Sequence, residues 1–335
     1  MNSLRHVIPR PIRRAASAWL AHRRSARLQR ELAAMVVHGG PIVAGPWLGE
    51  VGFELLYWVP FLRWCANRLG VDPDRFVVMS RGGTASWYRP FAARYVDVFD
   101  QISAETFRDQ HDSRVRELGE QKQTRVTAFD RELVAAAMRR AHVVEWSLLH
   151  PSSMYELLNP YWWGHQSSEW VHEHAAYARL ASLPASGIPE LPARYVAVKF
   201  YFNDCFPPTA QNRAFVGDVL RTLTARGPVI ALSTGLNIDD HGGVRVDEYG
   251  VRHLPEGLNP AENLQVQSAL VAGADAFVGT YGGFSYMAPF YGVKSTAFYS
   301  DASGFSPKHL HMARSAFDAI GSAGLLEVRD AAGGY

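Results

Sequence analysis

The sequence predicts an α/β protein: two doubly wound, Rossmann-like domains facing one another across a cleft, preceded by a basic helix. Three observations predict it. From Pro41 onward, short β-rich runs alternate with helical stretches, the pattern of parallel sheets wound in βαβ units. The chain has 335 residues, more than a single core usually serves, and is 47% hydrophobic and 20% charged, an ordinary folded composition. Midway, Leu183-Pro184-Ala185-Ser186-Gly187-Ile188-Pro189 and then Pro192 break every periodicity. Residues 183–193 therefore read as a linker between domains at 41–182 and 194–335.

The first 40 residues stand apart electrostatically. They hold eight arginines against the single acid Glu31, a charge of +7, which leaves −5 on the remainder of a chain whose net charge is +2. Ile12, Ala16, Trp19, Leu20, Leu28, Leu32 and Met35 recur at helical spacing, and Pro11 suits a first helical turn. Such a helix lies on an anionic membrane surface through residues 1–37, packs on the body, or stays a disordered basic arm. In the first case each exposed arginine contributes about 1 kcal/mol. No secretory leader is expected, since no small-residue cleavage site follows an apolar core. The longest apolar run, Leu55–Leu62, falls short of the roughly 20 residues that span a bilayer. Cys65 and Cys205 form neither a disulfide framework nor a zinc motif, which fits a reducing, cytoplasmic compartment. An acidic body without a recognisable nucleic-acid module argues against DNA or RNA as a partner.

In chain order, Pro41–Trp47 reads as a first strand and Phe53–Leu69 as a helix that Pro60 should kink or end. Arg75–Ser80 is a second strand, Thr84–Arg94 a helix and Tyr95–Phe99 a third strand. Residues 103–124 are charged and poor in apolar groups, so an insertion or mobile loop is expected. Thr124–Phe129 and His142–Leu149 read as strands around a helix at Asp130–Ala141. In the second half, strands fall at Tyr195–Phe202, Pro228–Ser233, Val251–Leu254, Asp275–Thr280, Ser295–Tyr299 and Leu325–Val328. Helices fall at 209–226, 260–273, 284–291 and 307–320, the second opened by Asn259, Pro260 and Glu262 as cap, first and third residues.

Ligands of such sheets bind at the carboxyl ends of the strands. The first loop there, Gly45-Pro46-Trp47-Leu48-Gly49-Glu50-Val51-Gly52-Phe53-Glu54, has glycines for close backbone approach and places Glu50 as a candidate general base. Glu54 sits in the helix's first turn, where the macrodipole alone favours a carboxylate, and is a further acceptor-side candidate. The second loop runs Thr280-Tyr281-Gly282-Gly283-Phe284-Ser285 from an apolar strand into a helix. Its amides and the Thr280 and Ser285 hydroxyls fit a diphosphate at the helix's positive end. It is neither a Walker A loop nor a G-x-G-x-x-G fingerprint, so ATPase and dehydrogenase readings lose support. Lys199 interrupts an apolar strand near its end and needs a partner such as phosphate. Asp240, in the polar loop 233–241, and Gln265 are candidates for nucleotide contacts.

These features resemble a GT-B-fold glycosyltransferase. The segment Ser268 through Ala288 is similar to the donor-binding region of the fucosyltransferase-like group, and Leu48-Gly49-Glu50 to the Leu-Gly-Asp of inverting heptosyltransferases, whose acid activates the acceptor. The likeness covers residues 41–100 and 194–330. The His-x-Arg-Arg stretch of many fucosyltransferases is absent, with Lys199-Phe200-Tyr201-Phe202-Asn203 in its place, so fucose is not implied. Asp72-Pro73-Asp74 precedes a strand, at the wrong edge for a metal-binding D-x-D. Glu248 and Glu256 have the spacing familiar in retaining enzymes but flank the wrong strand.

The resemblance implies an inverting transfer, without metal or cofactor, from a nucleotide-sugar donor to a glycan or lipid-linked acceptor. Glu50 is the base. Lys199, Thr280, Gly282, Gly283 and Ser285 hold the diphosphate, and Trp47, Trp87, Trp162 and Trp163 offer faces to an acceptor sugar. A polysaccharide pyruvyltransferase and a non-catalytic, membrane-held nucleotide or glycan binder are the competing readings.

Overall fold

Phe76-Val-Val-Met-Ser80 and Ala276-Phe-Val-Gly-Thr280 show no polar alternation, and each becomes a strand covered on both faces, as parallel sheets require. The computed structural model describes residues 10–89, 91–119, 122–181, 191–234, 236, 238, 242–244, 249–255 and 257–335. After helix α1 (Arg10–His38), the first lobe holds strands β1 (Ile42–Ala44), β2 (Phe76–Ser80), β3 (Arg94–Asp97) and β4 (Ser147–Leu149). They pair in the order β3-β2-β1-β4, all parallel. Its helices are α2 (Val51–Phe53), α3 (Val59–Leu69), α4 (Ala85–Tyr88), α5 (Ala104–Leu118), α6 (Ala128–Arg140), α7 (Pro151–Trp162) and α8 (Ser168–His172).

The second lobe has a six-stranded parallel sheet built from β5 (Val196–Lys199), β7 (Val229–Ala231), β9 (Arg252–His253), β10 (Ala276–Thr280), β11 (Lys294–Tyr299) and β12 (Leu326–Asp330). Its order is β12-β11-β10-β5-β7-β9. A small antiparallel pair, β6 (Tyr201–Phe202) with β8 (Gly242–Gly243), extends beyond β5. Helices α9 (Ala210–Thr224), α10 (Asn263–Gly273), α11 (Gly283–Phe290) and α12 (Pro307–Ala319) complete it. In both sheets the winding reverses beside the lobe's first strand. The switch points, where such sheets take ligands, therefore fall between β1 and β4 and between β5 and β10.

Three expectations need correction. Residues 104–118 form α5, capped by Ser103, whose hydroxyl accepts from the Thr106 amide; its charges mark a solvated helix rather than a loop. No strand forms at 124–129; Thr127 instead caps α6 through a reciprocal box with Asp130. Pro60 neither ends nor breaks its helix. Proline crowds the carbonyl four residues earlier, and here the helix widens into a π turn (Glu54–Trp58) between α2 and α3, while the Leu56 carbonyl accepts the Tyr177 hydroxyl at 2.9 Å.

The basic helix α1 docks on α7 and α3. Ala21, Ser25, Leu28 and Leu32, spaced four, three and four apart, are its buried positions, and Ser25 bonds the His174 ring at 2.8 Å. Trp19 and Leu20 stay exposed, with Arg23 over the Trp19 ring. Among the described residues no helix is long and apolar enough to cross a membrane. One apolar core runs through both lobes, joining Val51, Leu55 and Trp58 to Phe284, Met287 and Phe290. The stretch after α8 ties them further: Ala176 donates to the Pro60 carbonyl and Leu180 to that of Phe290. The proposed linker lies mostly outside the described residues.

Candidate functional site

The carboxyl edges of the two sheets meet where α2 and α11 begin. Gly52 and Gly283 touch through their backbones: a Cβ on Gly283 would lie 2.5 Å from the Gly52 nitrogen, and one on Gly52 would lie 2.9 Å from Gly283 Cα. Only glycine permits this approach. Two helix N-termini are thereby abutted, two residues from Glu50. The glycine turn thus faces the lobe that carries the candidate base.

Not every polar group of that turn faces the space between the lobes. Thr280 is fully buried; its hydroxyl donates to the Tyr201 carbonyl and accepts the Tyr201 amide, stitching β10 to the start of β6. The Ser285 hydroxyl, also buried, donates to the Gly282 carbonyl and accepts its amide. Both hydroxyls serve the fold, correcting their assignment to diphosphate. A Cβ on Gly282 would meet the Tyr201 hydroxyl at 2.0 Å, so that phenol lies directly against the turn. Lys199 does stand beside α11, with its ammonium 3.6 Å from the Phe284 ring centroid and donating to Gln267 Oε1 at 2.6 Å. Gln265 is exposed near the start of α10, its backbone N–H donating to the Gly82 carbonyl of the other lobe at 2.8 Å. Asp240, Glu248 and Glu256 lie outside the described residues. Asp72 accepts the Asp74 amide in a turn leading into β2, at the amino edge.

In the first loop Glu50 is exposed, extended, and immediately precedes α2. Glu54 is not an acceptor contact, because it is fully buried. Its Oε1 accepts the Ser80 hydroxyl at 2.5 Å and the Tyr88 hydroxyl. Burial raises its pKa to about 7, against the opposing pull of the Arg81 charge and those two bonds. Arg81 in turn donates to the Gly49 carbonyl at 2.9 Å, tying this buried cluster to the loop that carries Glu50. Trp47 and Trp87 are likewise removed from the acceptor side. Trp47 is fully buried, stacked on Trp58 and Tyr155. Trp87 is fully buried and donates across the lobe boundary to Ser268 at 3.2 Å. Trp163 is 72% exposed and keeps its ring available, whereas Trp162 is half-buried among Phe53, Tyr57 and Tyr155.

Sequence reasoning missed Lys122, His309 and Tyr57. Lys122 places its ammonium 3.7 Å from the Phe53 ring centroid, and Glu50 acts on it electrostatically. From the other lobe, His309 packs its ring edge on Phe53 at 4.8 Å and shares a 2.8 Å hydrogen bond with the Tyr57 hydroxyl. The Lys122–Gln123 pair carried no recognisable motif, and His309 sits 252 or more residues from its partners in sequence. An open cavity of about 850 Å³ flanks the second sheet's carboxyl edge, lined by Asn203, Asp204, Arg213, Asp301 and Ser303 among others. It adjoins the switch point, since Asn203 donates to the Tyr281 carbonyl.

No family model matches the chain, and no curated protein does. Among solved structures it is similar to a glycosyl transferase family 9 protein from Veillonella parvula, at 10% identity over 87% of this chain and 86% of that one, TM-score 0.44. It is also similar to the E. coli ADP-heptose LPS heptosyltransferase II, at 14% identity over 87% and 90%, TM-score 0.43. A third is the iron-containing dodecameric glycosyltransferase TibC of enterotoxigenic E. coli, at 12% identity over 77% of this chain and 58% of that one, TM-score 0.43. These likenesses are too distant to transfer a residue or a substrate.

Proposed function

We propose that the chain is a GT-B glycosyltransferase that moves a sugar from a nucleoside diphosphate to a hydroxyl of a glycan or lipid-linked acceptor, with inversion and without a metal. The observation that carries this reading is the abutment of Gly283 on Gly52, which sets the positive end of α11 two residues from an exposed carboxylate. Glu50 takes the acceptor's proton as its oxygen bonds to the anomeric carbon. The bond from that carbon to the diphosphate oxygen breaks, its electron pair leaving with the phosphate. A single displacement inverts the centre. The Gly283 amide at the start of α11, with Lys199 on the neighbouring Phe284, receives the departing charge, and the cavity edged by Asp204 and Asp301 suits the hydroxyl-rich part of the donor. Because the two backbones touch, donor entry requires the lobes to part at Gly52 and Gly283.

An anionic membrane surface is the proposed platform for a lipid-linked acceptor, through the exposed Trp19, Leu20 and Arg23 of α1.

The test is a thermal-shift screen of GDP, UDP, ADP, CMP and their sugar conjugates, followed by turnover of Glu50→Gln with the donor found. A shift with at least one nucleotide is expected, and the variant should bind it as wild type does while turning over at least about a hundredfold more slowly. Stabilisation by phosphoenolpyruvate alone would move the assignment to pyruvyl transfer, and near-normal turnover would remove Glu50 as the base.

A further inference from the structure

We propose that Lys122 is a substrate-contacting cation between the lobes, placed to take a phosphate oxygen of one of the reacting molecules. This rests on the transferase reading for its role, though not for its existence as an anion site.

The segment after α5 is clamped to the first loop by Gln123, which is 2% exposed. Its amide nitrogen donates to the Pro46 carbonyl and its oxygen accepts the Leu48 amide, both at 2.8 Å. That clamp fixes Lys122 against the loop that carries Glu50. The Lys122 ammonium then rests over Phe53 and 5.8 Å from the Trp162 ring centroid, half-buried. Among the described residues no carboxylate lies within ion-pair distance of it. Glu50 is near enough to favour its charge without pairing with it.

The surroundings favour an anion there. Phe53 follows Gly52 in α2, so the ring beneath Lys122 belongs to the segment that abuts α11. His309 faces it from α12; burial and the charges of Lys122 and Lys308 hold that imidazole down to a pKa of about 4, leaving it neutral at physiological pH. Burial also lowers the pKa of Lys122, partly offset by Glu50. An aromatic face compensates a half-desolvated ammonium only in part, whereas a phosphate oxygen supplies a charge-assisted hydrogen bond. Each lobe thus sets a lysine on an aromatic of the helix that opens at the abutment, Lys122 on Phe53 and Lys199 on Phe284.

The phosphate belongs either to the departing diphosphate or to the acceptor, and amine labelling of the full chain separates these sources. Lysine acetylation is quantified by mass spectrometry at fixed pH and matched ionic strength, with and without pyrophosphate, UDP, GDP, ADP or glucose. Pyrophosphate should slow Lys122 labelling severalfold while leaving exposed Lys308 unchanged, and glucose should do nothing. Unchanged Lys122 labelling under pyrophosphate and all three nucleotides overturns the proposal.

Lys122→Met, which keeps the stem over Phe53, should then bind the stabilising nucleotide about tenfold more weakly, with Lys122→Arg restoring most of the affinity. Protection by pyrophosphate with unaltered nucleotide affinity in Lys122→Met assigns the phosphate to the acceptor. Protection by pyrophosphate in a chain that no nucleotide stabilises keeps the anion site and sinks the donor reading.

Discussion

The two strand-to-helix loops that meet between the lobes use their polar groups in opposite ways. The first, after β1, leaves Glu50 in solvent and buries its aromatic, Trp47. The second, after β10, turns both hydroxyls inward, Thr280 onto Tyr201 and Ser285 onto Gly282. Short hydroxyl side chains bond the nearest backbone groups when they flank a tight turn. A Ser/Thr-rich turn is therefore a reliable sign of a helix start and a poor sign of which atoms meet a ligand. A longer side chain on an extended residue, like Glu50, has no backbone group to satisfy locally and stays available.

That contrast can be broken by mutation. The largest stability effect should come from Trp47→Ala, which empties the stacked core under the first loop and should cost about 3–5 kcal/mol in urea unfolding; Trp163→Ala should stay within about 0.5 kcal/mol. A small loss for Trp47→Ala would mean that its ring is accessible after all.

Next is Glu54. A carboxyl raised from 4.5 to about 7 is held protonated by the fold, so its stabilisation is complete below pH 4.5 and is lost as pH rises through about 7. Between those limits wild type should lose on the order of 3 kcal/mol more than Glu54→Gln in urea titrations at each pH. Parallel pH profiles would contradict the raised pKa.

Gly283→Ala should cost about 1–3 kcal/mol, since its methyl meets the Gly52 backbone, whereas Gly227→Ala, with open space around it, should be nearly neutral. Equal costs would mean that the lobes are not in contact there. Smallest is Ser285→Ala, which should lose about 1 kcal/mol of cap stability by thermal melting and leave nucleotide affinity unchanged. A weakened affinity would return that hydroxyl to the donor site.

The tail offers a similar sharpening. Removing residues 1–40 would strip Ala21, Leu28 and Leu32 from the core and confound any binding assay. Exchanging Trp19 and Leu20 for serine leaves docking intact and should abolish cosedimentation with phosphatidylserine-containing vesicles, if these residues are the contact. Persistent cosedimentation would place the contact elsewhere.

The alternation of apolar runs with helical periodicity was legible without coordinates because it is local. Every strand of the six-stranded sheet and the starts of α9, α10, α11 and α12 fall where the pattern places them, within a few residues. The placing of Glu50 in the loop between β1 and α2 was legible for the same reason: a carboxylate between two glycines after a strand. Lys122 and His309 were not, since neither stands in a motif and their shared neighbour Phe53 unites segments distant in sequence.

By itself, then, the sequence determined the paired α/β lobes, the basic leading helix and the two loops at the carboxyl edges, all of which follow from short-range periodicity and turn chemistry. Only the tertiary structure decided which polar groups remain available. Burial depends on what the other lobe brings. It was the approach of Gly283 to Gly52, the closing of the core over Glu54, Trp47 and Trp87, and the Gln123 clamp on Lys122 that separated the groups facing the cleft from those holding the fold.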